Sequence, residues 1–215
     1  MTVYFIPGLA ADRTVFKYIK LPPGYAAVYL DWIKPFDKES LPDYACRLSE
    51  QINTNKPFVI IGLSFGGMLA VEIAKKFKPV CTILISSVPV VQHLPSYFRI
   101  AGRLRLHKVI PISFIQHAAI LKRLFTKETG EDKKILKVMI RKSNVRFIRW
   151  AMHAVLSWTN TYIPEKLFHI HGTRDGILPH RFTKPTYLIY GGHLLVLNRA
   201  DEINTILKQV LIPCS

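Results

Sequence analysis

One short pattern, Gly62-x-Ser64-x-Gly66, constrains this chain more than any other stretch of it. An apolar run, Phe58 to Ile61, leads directly into the pattern, and an amphipathic helical pattern follows it at once. A strand-to-helix turn this tight forces its middle residue into strained backbone angles and leaves no room for a Cβ two residues to either side. The pattern therefore predicts a Ser64 hydroxyl that projects beside the positive end of a helix dipole. Alone, it fits a non-catalytic glycine-rich turn equally well, so its context decides.

Length and composition favour a folded protein with one main domain. With 215 residues and 49% hydrophobic content, the chain can bury one core and carry an insertion. Its three cysteines, Cys46, Cys81 and Cys214, have neither the pattern of a disulfide framework nor that of a zinc site. The N-terminus lacks the features of a signal peptide, and no uncharged apolar stretch reaches the ~18 residues of a membrane span. We therefore expect a cytoplasmic protein that binds no metal.

Strand patterns alternate with helical patterns along most of the chain. Since a strand, a helix and a further strand form a parallel pair with a right-handed crossover, the alternation predicts a three-layer α/β sandwich with a mainly parallel sheet. The predicted helices are Thr14 to Ile19, Leu41 to Ile52, a helix from Ser64 to Pro79, and Asp201 to Leu211. The predicted strands are Thr2 to Ile6, Ala26 to Leu30, Phe58 to Ile61, Val80 to Ser86, Lys166 to His171 and Pro185 to Tyr190.

The alternation breaks between residues 95 and 160, where no strand-length β-branched run occurs. We interpret residues 95–160 as a helical cap inserted into a core of residues 1–94 and 161–215. Its predicted helices are Tyr97 to Leu106, Ile112 to Phe125, Asp132 to Arg141 and Val145 to Trp158. Aromatic residues fall at helical spacings in the cap and are expected to pack it or line a pocket: Phe98, Phe114, Phe125, Phe147 and Trp150.

The cap carries most of the charge of this basic protein. Between Ser96 and Trp150 there are 14 lysines and arginines against three acidic residues, which accounts for 11 of the 16 net positive charges. Such a segment is either a solvated helical face or a surface that attracts an anionic substrate or a membrane. We expect no nucleic-acid partner, since the chain shows no motif of a nucleic-acid-binding fold.

Four glycine-marked loops follow predicted strands and would meet at one edge of the sheet, because parallel strands all end there. They contain Gly8-Leu9, Ser64, Asp175 and His193. The chain order serine, aspartate, histidine is the one that accompanies a nucleophile elbow, whereas chymotrypsin and subtilisin have other orders. The joint occurrence predicts a triad of Ser64, Asp175 and His193.

Each residue type suits one role in acyl transfer. A serine hydroxyl is a weak nucleophile unless a base removes its proton, and histidine, with an ordinary pKa of about 6.5, can take that proton and return it. We assign His193 as the base and Asp175 as the carboxylate that fixes the imidazole tautomer. The backbone N–H groups of Leu9 and Phe65 would bind the oxyanion. The competing interpretations are structural. Ser64 would be a helix cap, Asp175 a turn residue and His193 a packed histidine.

Other polar residues near these loops have open roles. Arg174 either orients an anionic substrate or is solvated, and the same alternatives hold for Asp12. We interpret His171 as a packed loop residue, and His169 and His180 as exposed or core residues without ligand spacing.

Taken together, the chain resembles the α/β-hydrolase superfamily over essentially its whole length. The motifs that carry the resemblance are Ile6-Pro7-Gly8-Leu9, Gly62-Leu63-Ser64-Phe65-Gly66-Gly67, His171-Gly172-Thr173-Arg174-Asp175-Gly176-Ile177-Leu178-Pro179 and Gly191-Gly192-His193. Two departures matter. The chain begins at what resembles the family's third strand, which implies a six-stranded core without the first two strands. Pro7 stands where many members have histidine, which changes the pocket wall but leaves backbone donation from Leu9 available.

The resemblance and the residues together predict a serine hydrolase that cleaves a small or medium acyl ester through an acyl-enzyme. We expect no cofactor, since the elbow lacks the residues of a phosphate-binding loop and of a dinucleotide fingerprint. One alternative is a thioesterase or acyltransferase that acts on an anionic acyl carrier. Another is a ligand-binding module that uses the same pocket without catalysis, because one fold hosts many functions.

Overall fold

Six short strands form one sheet in the order β2-β1-β3-β4-β5-β6, and every neighbouring pair is parallel. The computed structural model describes residues 1–103, 134, 138 and 144–212. The strands are β1 Thr2–Ile6, β2 Ala26–Tyr29, β3 Phe58–Leu63, β4 Cys81–Ile85, β5 Leu167–Gly172 and β6 Tyr187–Ile189. Each of the six predicted strands is therefore confirmed, with ends that differ by up to two residues.

Helices cover both faces of this sheet. Along β1 the side chains alternate, so that Tyr4 and Ile6 join one buried cluster while Val3 and Phe5 join the other. Burial on both faces explains why the central strands are continuously apolar. The predicted three-layer α/β architecture is confirmed. In the described part of the chain the helices are α1 Leu41–Leu48, α2 Phe65–Phe77, α3 Ser96–Arg103, α4 Val145–Leu156, α5 Leu195–Asn198 and α6 Ala200–Leu211.

Two predicted helices are shorter than the sequence pattern indicates. The stretch Thr14 to Ile19 forms only a 3-10 turn, Arg13–Phe16, whose first N–H groups are capped by Asp12. The prediction of a longer helix was wrong because the chain must turn back within a few residues to enter β2. Helix α1 ends at Leu48 and continues as a 3-10 turn, Ser49–Gln51, where the Ser49 hydroxyl donates to the carbonyl of Cys46.

The described parts of the predicted cap are helical. Helix α3 begins one residue before the predicted range Tyr97 to Leu106 and is described as far as Arg103, and α4 starts where the prediction Val145 to Trp158 starts. The predicted helices Ile112 to Phe125 and Asp132 to Arg141 lie outside the described residues, apart from residues 134 and 138. Most of the basic segment also lies outside them, and the division into core and cap stays a prediction. No helix among the described residues has the length and apolarity to cross a membrane.

Candidate active site

Strand β3 ends in a strained turn that holds Ser64. The backbone of Ser64 has φ 51° and ψ −118°, a conformation that L-residues rarely adopt. Its N–H donates to the Ile85 carbonyl at 2.9 Å, and the Ser87 hydroxyl donates to its carbonyl at 2.6 Å. A Cβ on Gly62 would lie 2.4 Å from the Gly66 carbonyl oxygen, so the turn closes only with glycine there.

The side chains of Ser64, His193 and Asp175 form a continuous hydrogen-bonded chain. His193 Nε2 lies 2.9 Å from Ser64 Oγ, and His193 Nδ1 lies 2.8 Å from Asp175 Oδ2. Because a carboxylate only accepts hydrogen bonds, Nδ1 carries the hydrogen, which leaves Nε2 free to accept the proton of the serine hydroxyl. The histidine and the aspartate are both buried. Three residues that the sequence places far apart are thus brought together by the carboxyl ends of β3, β5 and β6.

Asp175 is held at both of its carboxylate oxygens. Oδ1 accepts hydrogen bonds from the backbone N–H groups of Ile177 and Leu178 at 2.8 and 2.9 Å. Oδ2 faces His193 at 2.8 Å and Nε2 of His171 at 3.2 Å. Burial raises the pKa of Asp175, but the charge of His193 and hydrogen bonds from both histidines outweigh burial and lower it below its ordinary value. The carboxylate is therefore ionised wherever the protein is folded near neutral pH.

The backbone N–H groups of Leu9 and Phe65 belong to the two loops that meet at the serine. Phe65 is the first residue of α2, where an N–H has no partner within the helix. The loop with Leu9 packs on the elbow, since a Cβ on Gly8 would meet Ser64 Cβ at 3.5 Å. Within the described residues neither the Leu9 nor the Phe65 N–H donates a hydrogen bond to another group. This arrangement is compatible with the predicted role of both groups as oxyanion donors, which stays a prediction.

Comparison with known proteins bears on the fold. No family model matches the chain, and no curated protein matches its sequence. A malate-bound esterase from Thermogutta terrifontis superposes with a TM-score of 0.73 at 17% identity, over 100% of this chain and 90% of that one. MenH from S. aureus gives 0.76 at 14% identity, over 100% and 94% of the two chains. A hydrolase from Oleispira antarctica gives 0.71 at 14% identity, over 97% and 89%.

These neighbours share one architecture. The chain has the α/β-hydrolase fold. Identities of 14 to 17% establish the fold alone, so the chemistry of this α/β-hydrolase fold has to be argued from its own residues.

Within the α/β-hydrolase fold, three polar residues behind the triad were not predicted as part of the site. His171 lies in β5 with no exposed surface, so its interpretation as a loop residue was wrong. It contacts Asp175 through Nε2 and His169 Nε2 through Nδ1, the latter at 2.9 Å. Ser87 supports the elbow from the end of β4. The spacing of His169 and His171 was the available signal, because residues two apart in a strand point to the same face.

Arg174 and Asp12, whose roles the sequence left open, both have structural partners. The guanidinium of Arg174 donates to the hydroxyl of Tyr190 at 2.8 Å on the protein surface. A carboxylate oxygen of Asp12 accepts from the backbone N–H of Thr14 at 2.9 Å and so caps the 3-10 turn after the Leu9 loop. Both side chains are exposed, as the solvated alternative predicts, and each also has a protein partner that neither alternative included.

Aromatic side chains form a largely buried cluster around the start of α2, in which Trp32 is half-buried. The Phe65 ring packs against Trp32, Phe147 and Trp150, with ring centroids 5.8, 6.5 and 6.0 Å away. Phe147 and Trp150 belong to α4, so the described end of the predicted cap reaches the neighbourhood of the elbow. Helix α3 reaches the acid loop as well, because the Tyr97 hydroxyl donates to the carbonyl of Ile177.

Proposed function

We propose that this protein is a serine hydrolase that cleaves a small or medium acyl ester through an acyl-enzyme on Ser64. The observation that carries the proposal is the hydrogen-bond chain from Ser64 Oγ through His193 to Asp175. The alternative structural roles of these residues do not account for it, because the Ser64 side chain caps no helix N–H. The esterase and hydrolase among the structural neighbours agree with the same chemistry.

The geometry supports a two-step reaction. As Ser64 Oγ attacks the acyl carbon, His193 Nε2 takes the hydroxyl proton, and the carbonyl oxygen becomes an oxyanion that accepts hydrogen bonds from the Leu9 and Phe65 N–H groups. The imidazolium of His193, stabilised by Asp175, returns the proton to the departing alkoxide, which leaves as an alcohol. A water molecule then releases the acid from the acyl-enzyme through the same steps.

The half-buried indole of Trp32 favours an apolar acyl group over a charged one near the Phe65 N–H. Trp32 packs on the buried rings of Phe65 and Phe147, none of which carries a charge, and burial of apolar area contributes about 25 cal/mol per Å². We therefore expect turnover to rise with acyl length over the shorter esters of a series.

The decisive experiment combines labelling with turnover. A fluorophosphonate should label the wild type and not Ser64→Ala, and a p-nitrophenyl ester series of increasing acyl length should be hydrolysed only by the wild type. Ser157→Ala, which changes an exposed serine at the end of α4, is the matched control and should label and turn over normally. A folded wild-type protein that is neither labelled nor able to hydrolyse the esters would overturn the proposal and favour a ligand-binding role.

A further inference from the structure

A pair of buried histidines lies directly behind the proposed triad. His169 and His171 share one face of β5, are 2% and 0% exposed, and face each other at 2.9 Å through Nε2 and Nδ1. The acyl-transfer steps use neither of them. Burial of two imidazoles is uncommon without a role, because an imidazole must find partners for both ring nitrogens.

The partners of His171 fix where its hydrogen lies. Nε2 faces two acceptors, the Leu178 carbonyl oxygen at 2.6 Å and Asp175 Oδ2 at 3.2 Å. Neither acceptor can donate, so Nε2 must carry a hydrogen. Of the two facing nitrogens, His171 Nδ1 and His169 Nε2, one carries the single hydrogen between them. The His171 ring is thus held from both sides, and its single Nε2–H lies between a nearer acceptor, the Leu178 carbonyl oxygen, and a more distant one, Oδ2 of the triad carboxylate.

We propose that His171 is a positioning residue for the hydrolysis, whose Nε2–H shares Asp175 Oδ2 with His193. This inference rests on the proposed function. A second donor on Oδ2 fixes the carboxylate in the plane that His193 needs and takes up part of its charge. His171 therefore moderates how strongly Asp175 stabilises the His193 imidazolium, and it keeps that imidazolium from persisting at the pH of turnover.

Other titratable groups around this network define its pH response. The hydroxyl of Thr183 lies 3.4 Å from His169 Nδ1 and 3.2 Å from His93 Nδ1, which extends the chain towards the surface. Burial lowers the pKa of His169 to about 3, with the charge of His171 adding to the effect, so His169 stays neutral during turnover. Among the described residues, Tyr97 interacts electrostatically with Asp175, Lys184 interacts with His93, and Arg181 acts on Tyr97.

The test compares His171→Leu, which removes the donor, with His171→Gln, which offers an amide donor at a similar reach. We expect His171→Leu to lower kcat/KM by roughly tenfold to a hundredfold, the effect of losing a hydrogen bond to a charged group. The acidic limb of its kcat/KM profile should move to higher pH, while His171→Gln restores most of the activity and the wild-type limb. His180→Leu makes the same chemical change outside the network and should behave as wild type.

A purely structural His171 would lower the amount of folded enzyme without moving the acidic limb, and this result overturns the proposal. So does a His171→Gln variant that is no better than a folded His171→Leu. If His171→Leu does not fold, the proposal is tested by the acidic limb of the kcat/KM profile of His171→Gln and by the NMR experiment that follows.

Nitrogen-15 NMR of the resting wild type separates this proposal from the proposed function. The histidine spectra, assigned with His171→Gln, should show a protonated Nε2 on His171 with a coupling or shift typical of a strong hydrogen bond. A bare Nε2 overturns the positioning role even if the enzyme is active. Absence of Ser64 labelling with a protonated Nε2 whose shift moves in Asp175→Asn would instead overturn the proposed hydrolysis and leave the contact with Asp175 in place, whereas a shift that Asp175→Asn does not move would overturn the positioning role.

Discussion

At the scale of single residues, the most constrained group is the Asp175 carboxylate. Oδ1 is occupied by two backbone N–H donors, and Oδ2 by two imidazoles. With four donors around it, the side chain has one orientation available, and its charge lies against His193 Nδ1. This arrangement explains why the position requires a group that only accepts hydrogen bonds.

Asp175→Asn should therefore abolish most activity while the protein stays folded. The amide oxygen can still accept from Ile177 and Leu178, so the amide nitrogen is turned towards His193 and donates to Nδ1. The imidazole then carries its hydrogen on Nε2 and cannot accept the serine proton, which costs about 10⁴-fold in kcat in serine proteases. Ester turnover and circular dichroism measure the two effects. Asp37→Asn, on the exposed surface, is the control, and equal activity of the two variants would contradict this role.

The sequence was sufficient to predict that the residues of the proposed triad follow strand ends, and insufficient to find the residues that contact them from behind. Ser64 is marked by its glycines, and Asp175 and His193 by loops at strand ends, so local patterns locate them. His171 carries no such mark, because its importance depends on the distance between β5 and the acid loop. Ser87 likewise becomes part of the elbow only through the pairing of β3 with β4.

At the scale of elements, strands were predicted better than short helices for a physical reason. A buried parallel strand is apolar on both faces and shows as a continuous run, as in β3. The stretch Thr14 to Ile19 has helical spacing but only Val15 and Phe16 are buried in its 3-10 turn, so tertiary geometry decides its form. The absence of strand patterns is what predicts a cap, whereas the packing of α4 on α1 through Trp150 and Tyr44 needed the structure.

The middle of helix α4 and a residue just beyond its end are each bound to a neighbouring element by an indole N–H. Trp150 Nε1 donates to the Glu39 carbonyl at 2.8 Å, and Trp158 Nε1, just after the helix, donates to the buried Glu72 carboxylate at 2.6 Å. Glu72 lies on α2, the helix that begins at the elbow. These two bonds hold the described end of the cap against the core.

Trp158→Phe should destabilise the protein by about 1–3 kcal/mol, because a buried carboxylate oxygen loses its donor. The double variant Trp158→Phe/Glu72→Met removes the charge as well and should recover part of that loss. Urea unfolding followed by fluorescence gives the free energies. The destabilisation caused by Glu72→Met alone is measured as well. If the double variant is less stable than Trp158→Phe by that full amount, the two side chains are not coupled.

At the scale of the whole molecule, the net charge of +16 should steer anionic substrates towards the protein. We expect kcat/KM for a p-nitrophenyl ester with a free carboxylate to fall severalfold as NaCl rises from about 0.05 to about 0.5 M, since the screening length shortens over this range. A neutral ester of equal length is the control and should change little. Equal salt responses of the two esters would contradict steering and favour a solvated role for the basic segment.

Stability should also depend on pH through the buried histidine His169. Its pKa is about 3 in the folded protein and 6.5 ordinarily, so between these values the unfolded chain binds a proton that the folded chain does not. The free energy of unfolding should therefore be highest above about pH 6.5 and fall below it by about 1.4 kcal/mol per pH unit from this residue. The lowered pKa of His93 acts in the same direction.

Urea unfolding between about pH 7 and pH 4.5 measures this slope. This pH range lies above 3.8, the ordinary pKa near which Asp175 would begin to contribute to the pH dependence of stability. His169→Gln, which keeps a polar group but cannot be protonated, should flatten the profile by the contribution of that residue, whereas His180→Gln should leave it unchanged. Parallel profiles for the wild type and His169→Gln would mean that His169 is protonated in the folded state. Its buried contacts with His171 and Thr183 would then have to include a compensating acceptor.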